Sequence, residues 1–585
     1  MRPARPLLRL FVRLRRLLRN DQLLLAVLAL LLGGAAGLGA LVFRALISSF
    51  QWLVYGDGGE RWLAWLATLP WWHLLLAPAA GGLVVGIAQH RLLPGGRPLG
   101  IAHVMEATAH LGGRMPLGRG VAAAAMSAAS IGVGASVGRE GPVVHLGATL
   151  GSWLAGRLRL SPGLVRTLLG CGIASAVAAS FNAPVAGVFF ALEVVVGQYS
   201  LAAFAPIVLA SVTGTAIARA VYGDYPAFSV PGLEIVSFWE FPAFVLLGVF
   251  GAALAALLMR GIFAVEDGFA ALGRAGLPRW SWPAAGGLGV GAIALGFPQV
   301  LGVGYEVMDQ ALRGALPLGL LAAVLAAKLA ATALSLGCGF SGGVFSPSLA
   351  VGATGGGAFG IVAALLFPDL ASQAGVYAIV GMGAVGGAVL GAPISTILIV
   401  FELTGDYAVT LAVMVGTVTA GLAANALVGR SFFQWQLERR GIVRPGFGDV
   451  GTLATARVGD VMREARATVP AGAGLAAALD VLRAAPHGEL PVVERGRLVG
   501  VLTATELACA LARPFAGLTV GEVATRDVPV LDPSDDLRTA MALMAEHGLA
   551  RVPVVTGDRR RIVGIAHERD VLLAWHRAVG RARGD

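Results

Sequence analysis

Apolar residues dominate the chain from about Gln22 to Leu427, and the way they are interrupted predicts its elements. The first two runs, Leu23–Phe50 and Trp71–Gln89, read as long apolar helices. Spanning a bilayer core takes roughly 20 apolar residues in a helix. The runs then shorten and are broken by Gly and Pro: Val121–Ala135, Val143–Leu154, Leu164–Ala179, Val185–Val196 and Ala203–Val221. Many of these look too short to span. Interrupted helices at membrane depth are tolerated only where they are buried in protein or line a polar cavity, so the pattern predicts a bundle built around a pathway. Two longer helices, over Pro242–Met259 with its continuation and over Trp282–Gly296, lead into a second series: Leu318–Ser335, Pro347–Leu366, Val376–Val389, Ile394–Phe401 and Val409–Leu427.

The second series repeats the punctuation of the first. Gly138-Arg-Glu-Gly-Pro142 is answered 205 residues later by Gly343-Val-Phe-Ser-Pro347. Asn182-Ala-Pro184, with Glu193 nine positions after its Pro, is answered 209 residues later by Gly391-Ala-Pro393 with Glu402. Nearly constant offsets predict an internal duplication, with repeats over about 72–222 and 282–427. Paired Gly/Pro-interrupted segments in corresponding places of two halves point to a transporter's binding site. From Val458 the pattern alternates between β and α. Val458-Gly-Asp-Val461, Leu490-Pro-Val-Val493 and Val499–Thr503 recur as Val520-Gly-Glu-Val523, Val552-Pro-Val-Val555 and Val563–His567, at an offset of 62 that grows to 64. Two such copies, 457–513 and 518–578, predict a small α+β pair.

Composition sharpens this division. Only 13% of the 585 residues are charged, against 56% apolar, and the charge is sparse from about Gln22 to Leu427 and ordinary from Arg430 onward. A soluble chain carries about a quarter charged residues. The 83 glycines suit helices packed closely in lipid. Residues 1–20 are a basic segment whose arginines, from Arg2 to Arg19, precede the first acid, Asp21; by the positive-inside rule they place the N-terminus in the cytoplasm. The expected organisation is therefore a membrane domain over 21–443, a linker over 444–456, and a soluble C-terminal pair. The net charge of +10 does not imply nucleic acid, because no aromatic-interleaved basic face accompanies it. Cys171, Cys338 and Cys509 stand in no metal-ligand spacing.

Candidate chemistry centres on Gly132–Gly147, where Arg139 and Glu140 interrupt an almost charge-free region. Ionisable groups at membrane depth mark pathways or sites. Pro142 stands where a helix would begin, and a helix N-terminus with its unpaired amides attracts anions. Glu140 is thus a carboxylate placed before an anion attractor, and Phe345 holds the equivalent place in the second repeat. Glu193 and Glu402 read as structural, bonding neighbouring helices. Gly134-Ala-Ser136-Val-Gly138 and Gly339-Phe-Ser341-Gly-Gly343 both fit G-x-S-x-G. A nucleophile elbow, however, needs a strand before it and a paired His, and neither is evident. A cation pathway would need clustered carboxylates, which are also missing from the pattern.

GREGP at Gly138–Pro142, GVFSP at Gly343–Pro347 and the two Ala-Pro-helix-Glu segments resemble the CLC family of chloride channels and chloride/proton exchangers. The C-terminal repeats resemble a CBS-domain pair. The resemblance covers nearly the whole chain. It implies an all-α polytopic membrane domain of two inverted repeats with broken helices, plus a cytoplasmic α+β CBS pair. It also implies a homodimer in a bacterial inner membrane, both termini cytoplasmic, each subunit carrying chloride or a similar small anion. Glu140 matches the gating glutamate. The anion-contacting positions map to Leu99, Gly100 and Ile101; to Gly138, Arg139, Glu140 and Gly141; to Gly343, Val344 and Phe345; and to Phe433.

Three positions depart from the family pattern. Leu99 stands in place of the anion-contacting serine, and Phe433 in place of the central tyrosine. Each change removes a hydroxyl bond to a charged group, roughly 1.5–3 kcal/mol if buried. Val194 stands where exchangers carry the internal proton-transfer glutamate, which tilts the expectation towards a channel. In the CBS pair, Thr503, Glu506 and Asp570 match positions that contact an adenine nucleotide, with His567 replacing the usual Ser/Thr. No cofactor is required by this reading, and nucleotide is an expected regulator only.

Overall fold

The computed structural model describes residues 21–574, apart from 60–61, 111, 198–200, 225–227, 229–233, 443–456, 466, 485–488, 512–517, 527 and 557–560. The basic N-terminal segment and the linker expected over 444–456 lie outside the described residues. The chain divides into two compact units, 1–442 and 443–585.

The first unit is helical. Leaving out single turns, its elements are α1 (Asp21–Tyr55), α2 (Trp71–Leu92), α3 (Ile101–His110), α4 (Leu117–Gly132), α5 (Glu140–Leu158), α6 (Pro162–Phe181), α7 (Pro184–Phe190, continued by a π-turn Ala191–Val196) and α8 (Leu201–Tyr222). They are followed by α9 (Phe241–Arg274), α10 (Trp282–Gly296), α11 (Tyr305–Leu312), α12 (Leu318–Gly337), α13 (Phe345–Leu366), α14 (Ala374–Leu390), α15 (Pro393–Thr404), α16 (Tyr407–Val428) and α17 (Phe432–Arg439). Among the described residues, eight helices are long and apolar enough to cross a membrane. Several runs that look too short are in fact complete: Leu164–Ala179 lies inside the 20-residue α6, because Pro starts that helix and small residues extend it. The shorter apolar helices, of 10–17 residues, include Pro184–Val196, Ala374–Leu390 and Pro393–Thr404. Three helices escaped the apolar pattern, α3, α11 and α17, each of ten residues or fewer and carrying Glu or Asp.

Packing carries the duplication further towards the N-terminus than the punctuation does. α1 packs on α4, α6 and α8, and α9 packs on α12, α14 and α16 in the same relation. Elements that would lie on a pseudo-two-fold axis meet their own counterparts: α2 with α10 and α7 with α15. Close approach rests on glycine. A Cβ on Gly147 would lie 2.2 Å from the Gly172 carbonyl oxygen, and one on Gly352 would lie 2.3 Å from that of Gly381, at matching α5–α6 and α13–α14 crossings.

The second unit holds a six-stranded sheet in two halves. β3 (Glu489–Glu494) pairs antiparallel with β4 (Arg497–Thr503), and β5 (Arg551–Thr556) with β6 (Arg561–His567). Each pair carries a bulge at the same place, between Val492 and Val493 and between Val554 and Val555. β2 (Val469–Pro470) extends the first half and β1 (Arg463–Glu464) the second, and β4 meets β6 at Arg497–Arg561. Helices α18 (Leu475–Ala484), α19 (Ala504–Leu511) and α20 (Leu537–His547) complete the α+β pair.

Candidate anion site and gate

Two loops, one from each repeat, meet backbone to backbone. The Gly138 amide donates to the Gly343 carbonyl and the Gly343 amide donates to the Gly138 carbonyl, both at 2.7 Å. Glycine eases the close approach here: a Cβ on Gly138 would lie 2.4 Å from Glu140 Oε2, and one on Gly343 would lie 3.0 Å from the Gly141 amide nitrogen. Serines brace the loops symmetrically. The Ser136 amide donates to Ser335 Oγ at 3.0 Å, and the Ser341 amide donates to Ser130 Oγ at 3.2 Å. The hydroxyls of Ser136 and Ser341 are occupied by Thr332 at 2.9 Å and Gln89 at 3.0 Å. Both G-x-S-x-G serines are therefore structural, with no imidazole at either oxygen among these contacts.

This brace aims two helix starts at one place. α5 begins at Glu140 and α13 at Phe345, each two residues before its proline. That corrects the expectation that Pro142 opens the helix; the first-turn amides have no intrahelical partner, so Pro is accommodated there. The Glu140 carboxylate is buried and crosses to the other repeat, where it accepts from the Ser346 amide at 3.3 Å and from the Ser346 hydroxyl. A carboxyl group thus sits on the N-terminal turn of α13, where unpaired amides and the helix dipole favour negative charge. Phe345 is buried edge-on to Phe181, 5.8 Å between ring centres.

Arg139 turns away from the carboxylate's partners. Its guanidinium donates to the Ser180 carbonyl at 3.1 Å and the Tyr305 hydroxyl at 3.2 Å, with Cζ 4.6 Å from the Tyr305 ring centre. Arg139, Arg44, Ser180, Phe181 and Tyr305 line a cavity of about 220 Å³. Sequence reasoning placed Arg139 among the anion contacts; its hydrogen bonds to Ser180 and Tyr305 go to this cavity wall. It also passed over Ser346, whose only signal was its place directly after Phe345, and the buried Lys328, the sole lysine. Lys328 Nζ donates to the Val300 and Gly302 carbonyls at 2.9 and 3.0 Å and so ties down the segment before α11.

The remaining anion candidates lie on α3 and α17, which pack together. Leu99 and Gly100 precede α3, Ile101 is its buried first residue, and a Cβ on Gly100 would meet nothing within 4 Å. Phe433 is buried on α17, edge-on to Phe432. Ile101, Phe433, Val344 and Phe345 belong to one continuous buried apolar cluster. Val194 is buried in the π-turn, which packs against α3. Beside it, Glu193 accepts from the Ile394 and Ser395 amides at 3.3 and 2.7 Å, and Glu402 accepts from the Val185 and Ala186 amides at 3.0 and 2.7 Å. Each acid caps the half-helix of the opposite repeat, as structural acids should.

A family model described as "Voltage gated chloride channel" matches residues 81–425. The chain belongs to this family, the CLC proteins. CBS-domain models match 458–513 and 520–577. The chain is 36% identical over 413 residues to the putative chloride channel protein ClcB-like of Ralstonia nicotianae, covering 70% of this chain and 95% of that one. It is 30% identical over 450 residues to the H(+)/Cl(-) exchange transporter ClcA of Cronobacter sakazakii, covering 73% and 92%. The crystal structure of a eukaryotic CLC transporter shares the fold, with a TM-score of 0.69 at 20% identity over 95% of this chain and 98% of that one. This is a multi-pass membrane protein of a family of anion channels and transporters.

In the CBS pair, Thr503 and Glu506 bond one another: the Thr503 amide and hydroxyl donate to Glu506 Oε2 at 2.7 and 2.8 Å. Asp570 is held by Arg463, with Nε 2.6 Å from Oδ2 and Nη2 2.7 Å from Oδ1, which keeps its carboxyl below the usual range. His567 ends β6 opposite Arg551.

Proposed function

We propose that the chain is a chloride-selective channel of the CLC type in which Glu140 is the gate. The observation that carries this is the Glu140 carboxylate on the first turn of α13, where a permeant anion would be held by the same amides. Carboxylate and chloride compete for one place, so the pathway is closed while Glu140 is docked and open when it leaves. Protonation weakens its hold on the amides, so acid favours opening. With Leu99 and Phe433 offering no hydroxyl, the anion rests on backbone amides alone, which weakens central binding and suits rapid passage.

Proton-coupled exchange is the second reading, favoured by similarity to a protein named an H(+)/Cl(-) exchange transporter. Val194, which can carry no proton, weighs against it. Chloride flux in proteoliposomes with simultaneous proton readout decides between them: a channel moves no stoichiometric protons down a chloride gradient, and coupled uptake overturns the assignment. Glu140→Gln should abolish the pH dependence of gating; an unchanged pH profile removes Glu140 from the gate. The proposal includes a homodimer embedded in lipid in the bacterial inner membrane, both termini cytoplasmic, with an adenine nucleotide as the regulator of the CBS pair through Thr503, Glu506, His567 and Asp570.

A further inference from the structure

Two histidines that the gate does not use face each other inside the membrane domain. His103, the third residue of α3, is half-buried; His145, on α5 five residues after Glu140, is 2% exposed. His103 Nδ1 and His145 Nε2 are 3.1 Å apart, with ring centres 5.2 Å apart and planes tilted by 41°. This is a hydrogen bond that carries one hydrogen. The two outer nitrogens are His103 Nε2 and His145 Nδ1. The second of these is buried and has no hydrogen-bond partner among the described residues.

Counting hydrogens over the four nitrogens fixes the protonation states. Two neutral rings carry two hydrogens, one in the shared bond and one on an outer nitrogen. An N–H at His145 Nδ1 would be a buried donor with no acceptor, so the second hydrogen belongs on His103 Nε2. His145 Nε2–H therefore donates, and His103 Nδ1 accepts. A third hydrogen that keeps the bond fills both outer nitrogens. It leaves an unanswered N–H on His145 Nδ1, within a charged pair in a dry interior. The alternative place is His103 Nδ1, where the new N–H meets that of His145 and the bond is lost. The contact holds while neutral and breaks in acid.

Burial opposes a charge on His103, as do Arg440 at the end of α17 and Arg119 on α4; Glu106 favours it, and more strongly than either arginine. Glu106 lies three residues along α3, on the same face as His103, and pairs with Arg440 at 3.7 Å. On the π-turn packed against α3, Glu193 is already engaged by the Ile394 and Ser395 amides. Glu106 is thus the carboxylate within reach of a protonated His103.

We propose that the His103–His145 hydrogen bond is an acid-released latch between α3 and the gate-bearing helix α5. At neutral pH it ties the two helices together. Below about pH 6, His103 takes a proton, leaves His145 and turns to Glu106 in competition with Arg440. The same proton therefore loosens two contacts of α3: its bond to α5 and its ion pair with the end of α17. The latch uses neither Glu140 nor the choice between channel and exchanger.

Hydrogen exchange of the α3 amides tests this, read by mass spectrometry on the full-length detergent-solubilised protein and referred to intrinsic rates at each pH. Protection of α3 should fall about tenfold between about pH 7 and 5, equally in wild type and in Glu140→Gln. His103→Gln has no ring to titrate, and the amide oxygen of His145→Gln accepts from a protonated His103, so protection in both should be the same at the two pH values. Glu106→Gln removes the counter-charge and should move the midpoint to lower pH. Protection that is independent of pH in wild type, or that falls as far in both histidine variants, overturns the proposal. Loss of the effect in Glu140→Gln assigns it to the gate and overturns the latch as well. If a histidine variant fails gel filtration at pH 7, the Glu106→Gln midpoint decides, and an unmoved midpoint removes His103 as the sensor.

Discussion

Ser346 is the residue on which the gate's closed position most depends, because it supplies both the amide and the hydroxyl that hold Glu140. A hydrogen bond to a charged group contributes about 1.5–3 kcal/mol. Ser346→Ala removes the hydroxyl and keeps the amide, so chloride flux at neutral pH should rise by about tenfold, since 1.4 kcal/mol is a factor of ten. Stopped-flow chloride efflux from liposomes measures this. Flux equal to wild type would mean that the hydroxyl does not hold the closed state. Glu140 itself was legible as an isolated intramembrane acid. Its partner was not, because Ser346 stands 206 positions away and only the Gly138–Gly343 bridge brings it near.

Among the elements, the reciprocal caps tie two half-helices to each other at their starts. α7 and α15 pack together, and each is capped at its first turn by an acid from the other's far end, Glu402 on α7 and Glu193 on α15. Glu402→Gln and Glu193→Gln each weaken a charge-assisted cap, at a cost of about 1–3 kcal/mol. Thermal unfolding in detergent should show both variants destabilised, and an unchanged midpoint would remove the cap from the list of what holds these helices. Gly138→Ala should be more severe. Its Cβ would have to share space with Glu140 Oε2, 2.4 Å away, so the two loops must part or the gate must move. Gel filtration with a flux assay separates the outcomes: an aggregated protein reports a broken bridge, and a monodisperse leaky one a displaced gate.

On the scale of the whole molecule, the CBS pair carries its own acid sensitivity. The Arg463–Asp570 pair holds the Asp570 carboxyl below its ordinary value, so its stabilisation is present above the unfolded carboxylate pKa of about 3.9 and is lost as pH falls through the lowered folded value. Hydrogen exchange of β1 and β6 amides should be faster in Arg463→Gln than in wild type near neutrality, and the two should converge in strong acid. Equal exchange at neutral pH would show that the pair contributes nothing, as many exposed ion pairs do.

The family, the membrane character, the duplication and the α+β repeats are legible in the chain, because they rest on periodicity, Gly/Pro punctuation and offsets that survive in one dimension. Glu140, Glu193 and Glu402 stood out for the same reason: a charge in an apolar run is visible without a partner. Helices α3 and α11 stayed hidden because their faces turn to neighbours, and a short polar helix leaves no apolar run. Tertiary structure alone decided which atoms meet. It set Glu140 on the start of α13, turned Arg139 towards Ser180 and Tyr305, made Ser136 and Ser341 braces rather than nucleophiles, and put His103 against His145. Each of these pairings joins residues dozens to hundreds of positions apart across helix crossings, and their distances follow from how closely glycine lets backbones approach.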